Sequence, residues 1–137
     1  MEHIIKTVAS RAQLEERQAR DAVAVFLKFI REEADADSVR ALFGRLPGAD
    51  ELADAAPASA LAGGLAGLLG RLGGDSLSSA MSALATLKTL GLSTTQIKQT
   101  GKTLYQQLSE HGDAALAREI VGQLRENVPG LERLLRA

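Results

Sequence analysis

Apolar side chains recur along this chain at helical rather than strand spacing. Ile4, Ile5, Val8, Ala9 and Ala12 share one side of the first segment, with Glu2, Lys6 and Arg11 elsewhere, which predicts a short amphipathic helix over about residues 2 to 12. After Leu14, the run Ala19, Ala22, Val23, Phe26, Leu27 and Ile30 follows the i, i+3, i+4, i+7 rhythm of a second, longer helix. Val25 and Phe29 widen its stripe, so this helix is expected to touch neighbours on two sides and to sit near the centre of the core. A third helix is read from Asp37, as its cap, through Ser38, Val39, Leu42, Phe43 and Leu46, ended by Pro47-Gly48. A short helical turn at Asp50 to Ala55 follows.

The character changes at Pro57. Residues 58–74 hold six glycines among alanines and leucines, with Arg71 as the single charge. Each glycine inside a helix costs about 1 kcal/mol relative to alanine, so an irregular connector is the expectation here. Helical spacing resumes from Ser76 with Leu77, Ala80, Met81, Leu84, Leu87 and Leu90, and Gly91 stands where a C-terminal cap belongs. Ser93 with Gln96 is a capping box opening the next helix, which carries Ile97, Leu104, Tyr105 and Leu108 and is read as stopping at His111-Gly112. Asp113 hands over to a last long helix with Leu116, Ala117, Ile120, Val121 and Leu124, broken by Pro129-Gly130.

The two ends of the chain repeat. Leu14, Phe26, Leu27, Ile30, Leu42, Phe43 and Leu46 align with Leu92, Leu104, Tyr105, Leu108, Ile120, Val121 and Leu124 at a constant offset of 78 positions, as from Leu14 to Leu92. The offset becomes 82 where Pro47 meets Pro129, one added helical turn before the break. Neither half is large enough to shield its own apolar stripe. The expected fold is therefore all-α: a six- or seven-helix bundle forming one domain over residues 1–137, from half-repeats 1–56 and 76–137 joined by the Gly/Ala/Leu-rich connector 57–75.

Composition narrows the function classes. Leucine and alanine dominate the apolar residues and aromatics make up only 3%, which favours helix over strand. The formal net charge is −1, so no overall field gathers nucleic acid or an anionic bilayer. The chain has no cysteine, which removes disulfides, thiolate nucleophiles and the common structural zinc sites. The first residues lack the uninterrupted apolar stretch of a secretory signal, and a cytoplasmic address is expected. The uncharged run from Ala55 to Gly70 is shorter than the roughly 20 residues that a membrane-spanning helix needs.

Candidate chemistry is sparse. The acidic group Glu32, Glu33, Asp35 and Asp37 is no calcium loop, because Val39 stands where an oxygen ligand belongs and Arg40 where the glycine does. His3 and His111 have no second ligand at metal-binding spacing, and His111 before Gly112 reads as a cation near a helix C-terminus. Gly74-Asp75-Ser76-Leu77-Ser78 lacks the final glycine and preceding strand of a nucleophile elbow, and Ser76 reads as an N-cap. The connector glycines lack the Lys-Ser/Thr pair of a phosphate loop. A DNA-reading helix-turn-helix over residues 15–46 would bring Asp35 and Asp37 against phosphates, with only Arg40 and Arg45 to offset them. No catalytic residue, cofactor or metal ligand is assigned from the sequence.

Several landmarks together carry a family resemblance: Leu14 through Gln18-Ala19, the phrase Leu46-Pro47-Gly48-Ala49-Asp50-Glu51-Leu52, Ala56-Pro57, the Gly/Leu-rich connector and Leu90-Gly91-Leu92-Ser93. The chain resembles the VcgC/VcgE-like bacterial domains of unknown function. The resemblance implies an all-helical bacterial domain without an assigned activity or functional residues, and this chain departs from it in lacking the export signal with which such proteins start. The residues themselves suggest a non-enzymatic protein-protein interaction or scaffold module, self-association and peripheral lipid contact both being open to it. Leu61, Leu65, Leu68, Leu69 and Leu72 are the candidate surface. The alternative is a carrier or sensor of a small apolar ligand or lipid held between helices.

Overall fold

A computed structural model describes residues 2–56 and 83–127 of the chain. Among them the structure is all-α, with no strand. The elements are α1 (Glu2–Ala12), α2 (Glu16–Glu33), α3 (Ala36–Gly44), α4 (Ala49–Asp54), the helical residues 83–89, α5 (Thr94–Leu108), a π-helical segment (Ser109–Asp113) and α6 (Ala114–Asn127). The connector and the final Pro129-Gly130 break lie outside the described residues.

The central position expected for the second helix follows from its composition. Alanine and valine at 19, 22, 23, 24 and 25, with Leu27, Phe29 and Ile30, are all buried, so the apolar surface runs well beyond one stripe. α2 accordingly packs against α1, α3, α4, α5 and α6. Side chains from both ends of the chain, including Ile5, Val8, Leu27 and Leu42 on one side and Leu104 and Ile120 on the other, join one buried cluster. Phe26 lies half-buried against Gly101 of α5, where an added Cβ would stand 3.4 Å from the ring edge. The short α4 rests on α2 through fully buried Ala49 and Ala53. Arg31 adds ion pairs to Asp54 at 2.8 Å and Asp50 at 3.7 Å, which in this exposed setting contribute at most about 1 kcal/mol.

The turns reproduce one another 78 positions apart. Helix α1 ends with the Leu14 N–H donating to the Ala9 carbonyl at 2.9 Å around Gln13 at φ 57°, and the helical residues 83–89 end with Leu92 donating to Leu87 at 3.2 Å around Gly91 at φ 97°. Both are six-to-one cap bonds closed by a left-handed residue, and in each the apolar residue after the turn is buried. The next helix then opens alike: Glu15 N–H donates to Gln18 Oε1 at 3.2 Å, and Ser93 N–H to Gln96 Oε1 at 2.8 Å. The amide nitrogens of these glutamines cross over. Gln18 Nε2 donates to the Leu90 carbonyl at 3.0 Å, and Gln96 Nε2 to the Gln13 carbonyl at 3.2 Å, so each glutamine ties its own helix start to the other end of the chain.

Two sequence expectations are corrected. The third helix is capped by Asp35, whose Oδ2 accepts from the Ser38 N–H at 3.2 Å, while Asp37 lies inside the first turn. The stop expected at His111-Gly112 does not occur, because the chain passes from α5 into α6 through the π segment without leaving the helical region. His111 therefore sits within a continuous helical path and not at a C-terminus.

Candidate functional site

The π segment lies against α3, and its His111 meets His3 of α1. A π turn widens the helix by one residue, and such turns recur at functional positions. This one joins α5 to α6 and packs against α3. Gly112 makes the approach possible: a Cβ there would stand 2.7 Å from Leu42 Cδ1 and 3.7 Å from Leu46. Since Gly112 is not among the glycines of positive φ, the space it leaves, not a left-handed backbone, is what the position requires.

Polar contacts between the ends of α3 and α6 flank this approach on both sides. Asp113 turns Oδ1 to the Leu116 N–H at 3.0 Å, and its Oδ2 lies 3.8 Å from Arg45 Nη1. At the other end Gln123 Oε1 accepts from the Asp35 N–H at 2.8 Å, and its Nε2 reaches Ser38 Oγ at 3.5 Å. Asp35 and Asp113, like Arg45 and Gln123, stand 78 positions apart. Each helix start is thus met by a polar side chain from the end of the opposite helix.

On the α1 side, the π segment brings His111 to His3. Their ring centres are 5.1 Å apart with planes at 79°, an edge-to-face contact between two exposed imidazoles on different elements. Sequence spacing gave no signal of this meeting, because it depends on how α1 packs on α5. Among the described residues no three His, Asp or Glu side chains are grouped closely enough to hold a metal ion. One turn before His111, Gln107 is 5% exposed. Its Nε2 donates to Glu110 Oε2 at 3.5 Å, while its Oε1 has no hydrogen-bond donor among the described residues.

That orphaned oxygen yields a prediction. Gln107→Met keeps the length of the side chain and removes the buried acceptor, so urea denaturation is expected to show stability raised by about 1 kcal/mol. A loss of similar size would mean that the amide oxygen has a partner in solution.

Leu61, Leu65, Leu68, Leu69 and Leu72, the candidate surface from the sequence, lie outside the described residues. That reading took Gln96 as half of a capping box and Asp113 as the start of the last helix and did not name Gln123, although the 78-residue offset, applied to Gln18, Asp35 and Arg45, leads directly to Gln96, Asp113 and Gln123. Among the described residues no helix is long and apolar enough to cross a membrane.

No curated protein and no solved structure matches the chain. A family model does match, over residues 1–125, the stretch that contains both sets of caps and the histidine pair. The chain belongs to the family described as protein of unknown function VcgC/VcgE (DUF2780).

Proposed function

We propose that the chain is a helical bundle of two similar halves, residues 1–56 and 76–137, and that it acts as a non-enzymatic protein-protein interaction module in the cytoplasm. The recurring caps at Gln13 and Gly91, Gln18 and Gln96, and Asp35 and Asp113 support the two-halves reading, since local signals of this kind are set by residue identity at each position. With the polar seams between the ends already occupied by intramolecular bonds, the apolar residues left to meet a partner are sought in the connector.

The interaction reading rests on one observation. Leu61, Leu65, Leu68, Leu69 and Leu72 fall at i, i+4, i+7, i+8 and i+11 in a run whose only charge is Arg71. Apolar side chains at that spacing are what a helix-in-groove contact uses as anchors. A second copy of the chain is the simplest partner, because a self-complementary patch closes a two-fold dimer without another protein.

Size-exclusion chromatography with light scattering on the full chain tests this. Across a concentration range of about a hundredfold, the mass is expected to rise from one chain towards two, following mass action. The double variant Leu65→Asp with Leu69→Asp is expected to stay at one chain throughout. A wild-type mass that never departs from one chain would remove self-association through this surface.

A further inference from the structure

The pairing of His3 with His111 supports a specific site. We propose that these two imidazoles bind a divalent cation of zinc-like preference, with the remaining positions of its coordination shell open to water or to a further ligand. The rings come from α1 and the π segment, and their contact joins the two elements. Both are exposed, so ring nitrogens are accessible from solvent.

The spacing fits a shared ion. Zinc takes imidazole nitrogen at about 2.0–2.1 Å, and roughly another 1 Å separates that nitrogen from its ring centre, so a tetrahedral angle at the metal sets two ring centres about 5 Å apart. The observed separation is 5.1 Å with the planes at 79°, edge to face, so one of these exposed rings must turn about its side-chain torsions for both nitrogens to face the same ion. Offset or edge-to-face packing alone is worth about 0.5–1.5 kcal/mol between aromatic rings, and little of that is gained where both rings stay in water. With no third His, Asp or Glu in the group among the described residues, the site has two protein ligands and an open face, the arrangement of a weak or exchangeable site, not a structural one.

Isothermal titration of the full chain with zinc chloride in a non-chelating buffer tests the site, with cobalt(II) as a visible-absorption probe of its geometry. One ion per chain is expected. The variants His3→Phe and His111→Phe keep an aromatic ring able to make the edge-to-face contact but remove the ligand nitrogens. Each is expected to weaken zinc binding about tenfold or more while leaving the metal-free melting temperature almost unchanged. Zinc is also expected to raise the melting temperature of the wild type and not of either variant. Absence of saturable binding would overturn the proposal. So would binding that His111→Phe leaves untouched, which would place the ion on the amino-terminal segment alone.

Discussion

Leu42→Ala is expected to destabilise the protein by about 2–5 kcal/mol, the range for removing a fully buried leucine and leaving part of its volume empty. Leu42 is 0% exposed, and its Cδ1 occupies the space next to Gly112 in which a side chain on the π segment would have to fit. The same geometry fixes the outcome of the reciprocal change. Gly112→Ala introduces a methyl 2.7 Å from Leu42 Cδ1, and overpacking of this kind costs about 1–3 kcal/mol. Alanine gains about 1 kcal/mol over glycine in a helical backbone, so the single variant is expected to lose up to about 2 kcal/mol. The double variant is the sharper measurement. With Leu42 shortened, the methyl at position 112 enters vacated space, and urea denaturation of the four proteins is expected to give a coupling energy of about 1 kcal/mol or more in favour of the pair. Additivity of the two losses would show that the π segment and α3 do not meet at this point.

That contact also marks a limit of what the sequence could disclose. His111-Gly112 has the composition of a helix terminus, an imidazole followed by glycine, and the reading that α5 ends there followed from it. Glycine serves two physical purposes, however: it tolerates a left-handed backbone and it permits close approach. At Gly91 the first operates, with φ 97°, and the sequence reading held; at Gly112 the second does, and the chain continues as helix. Only the position of α3 separates the two cases. The caps at Asp35 and Asp37 pose a related problem, since both are acidic residues ahead of an apolar run, and the choice falls to the turn geometry after α2. Where the information is local, the pattern sufficed: α1 runs over the predicted residues, α2 is central, and Ser93 with Gln96 opens α5. The meeting of His3 and His111 was illegible because no local rule places the start of α1 beside the segment after α5.

The two left-handed caps offer a comparison with opposite signs. Gly91 and Gln13 close equivalent turns 78 positions apart, yet one is the residue best suited to positive φ and the other is not. A non-glycine residue in this region costs about 1–2 kcal/mol, so Gly91→Ala is expected to lose about that much. The true loss falls towards the upper end, because a Cβ on Gly91 would stand 3.2 Å from Gln18 Nε2, the atom that donates to the Leu90 carbonyl. At position 13 the strain is already present at φ 57°. Gln13→Gly relieves it and loses about 0.5–1 kcal/mol of that to the greater freedom of glycine in the unfolded chain, leaving a net gain of about 0.5–1 kcal/mol. The Gln13 carbonyl that accepts from Gln96 belongs to the backbone and survives the change. Thermal denaturation of the two variants is therefore expected to move the midpoint down for Gly91→Ala and up for Gln13→Gly. A fall in both would mean that the Gln13 side chain contributes contacts outweighing its backbone strain, and that the two turns, alike in hydrogen bonding, are not alike in energy.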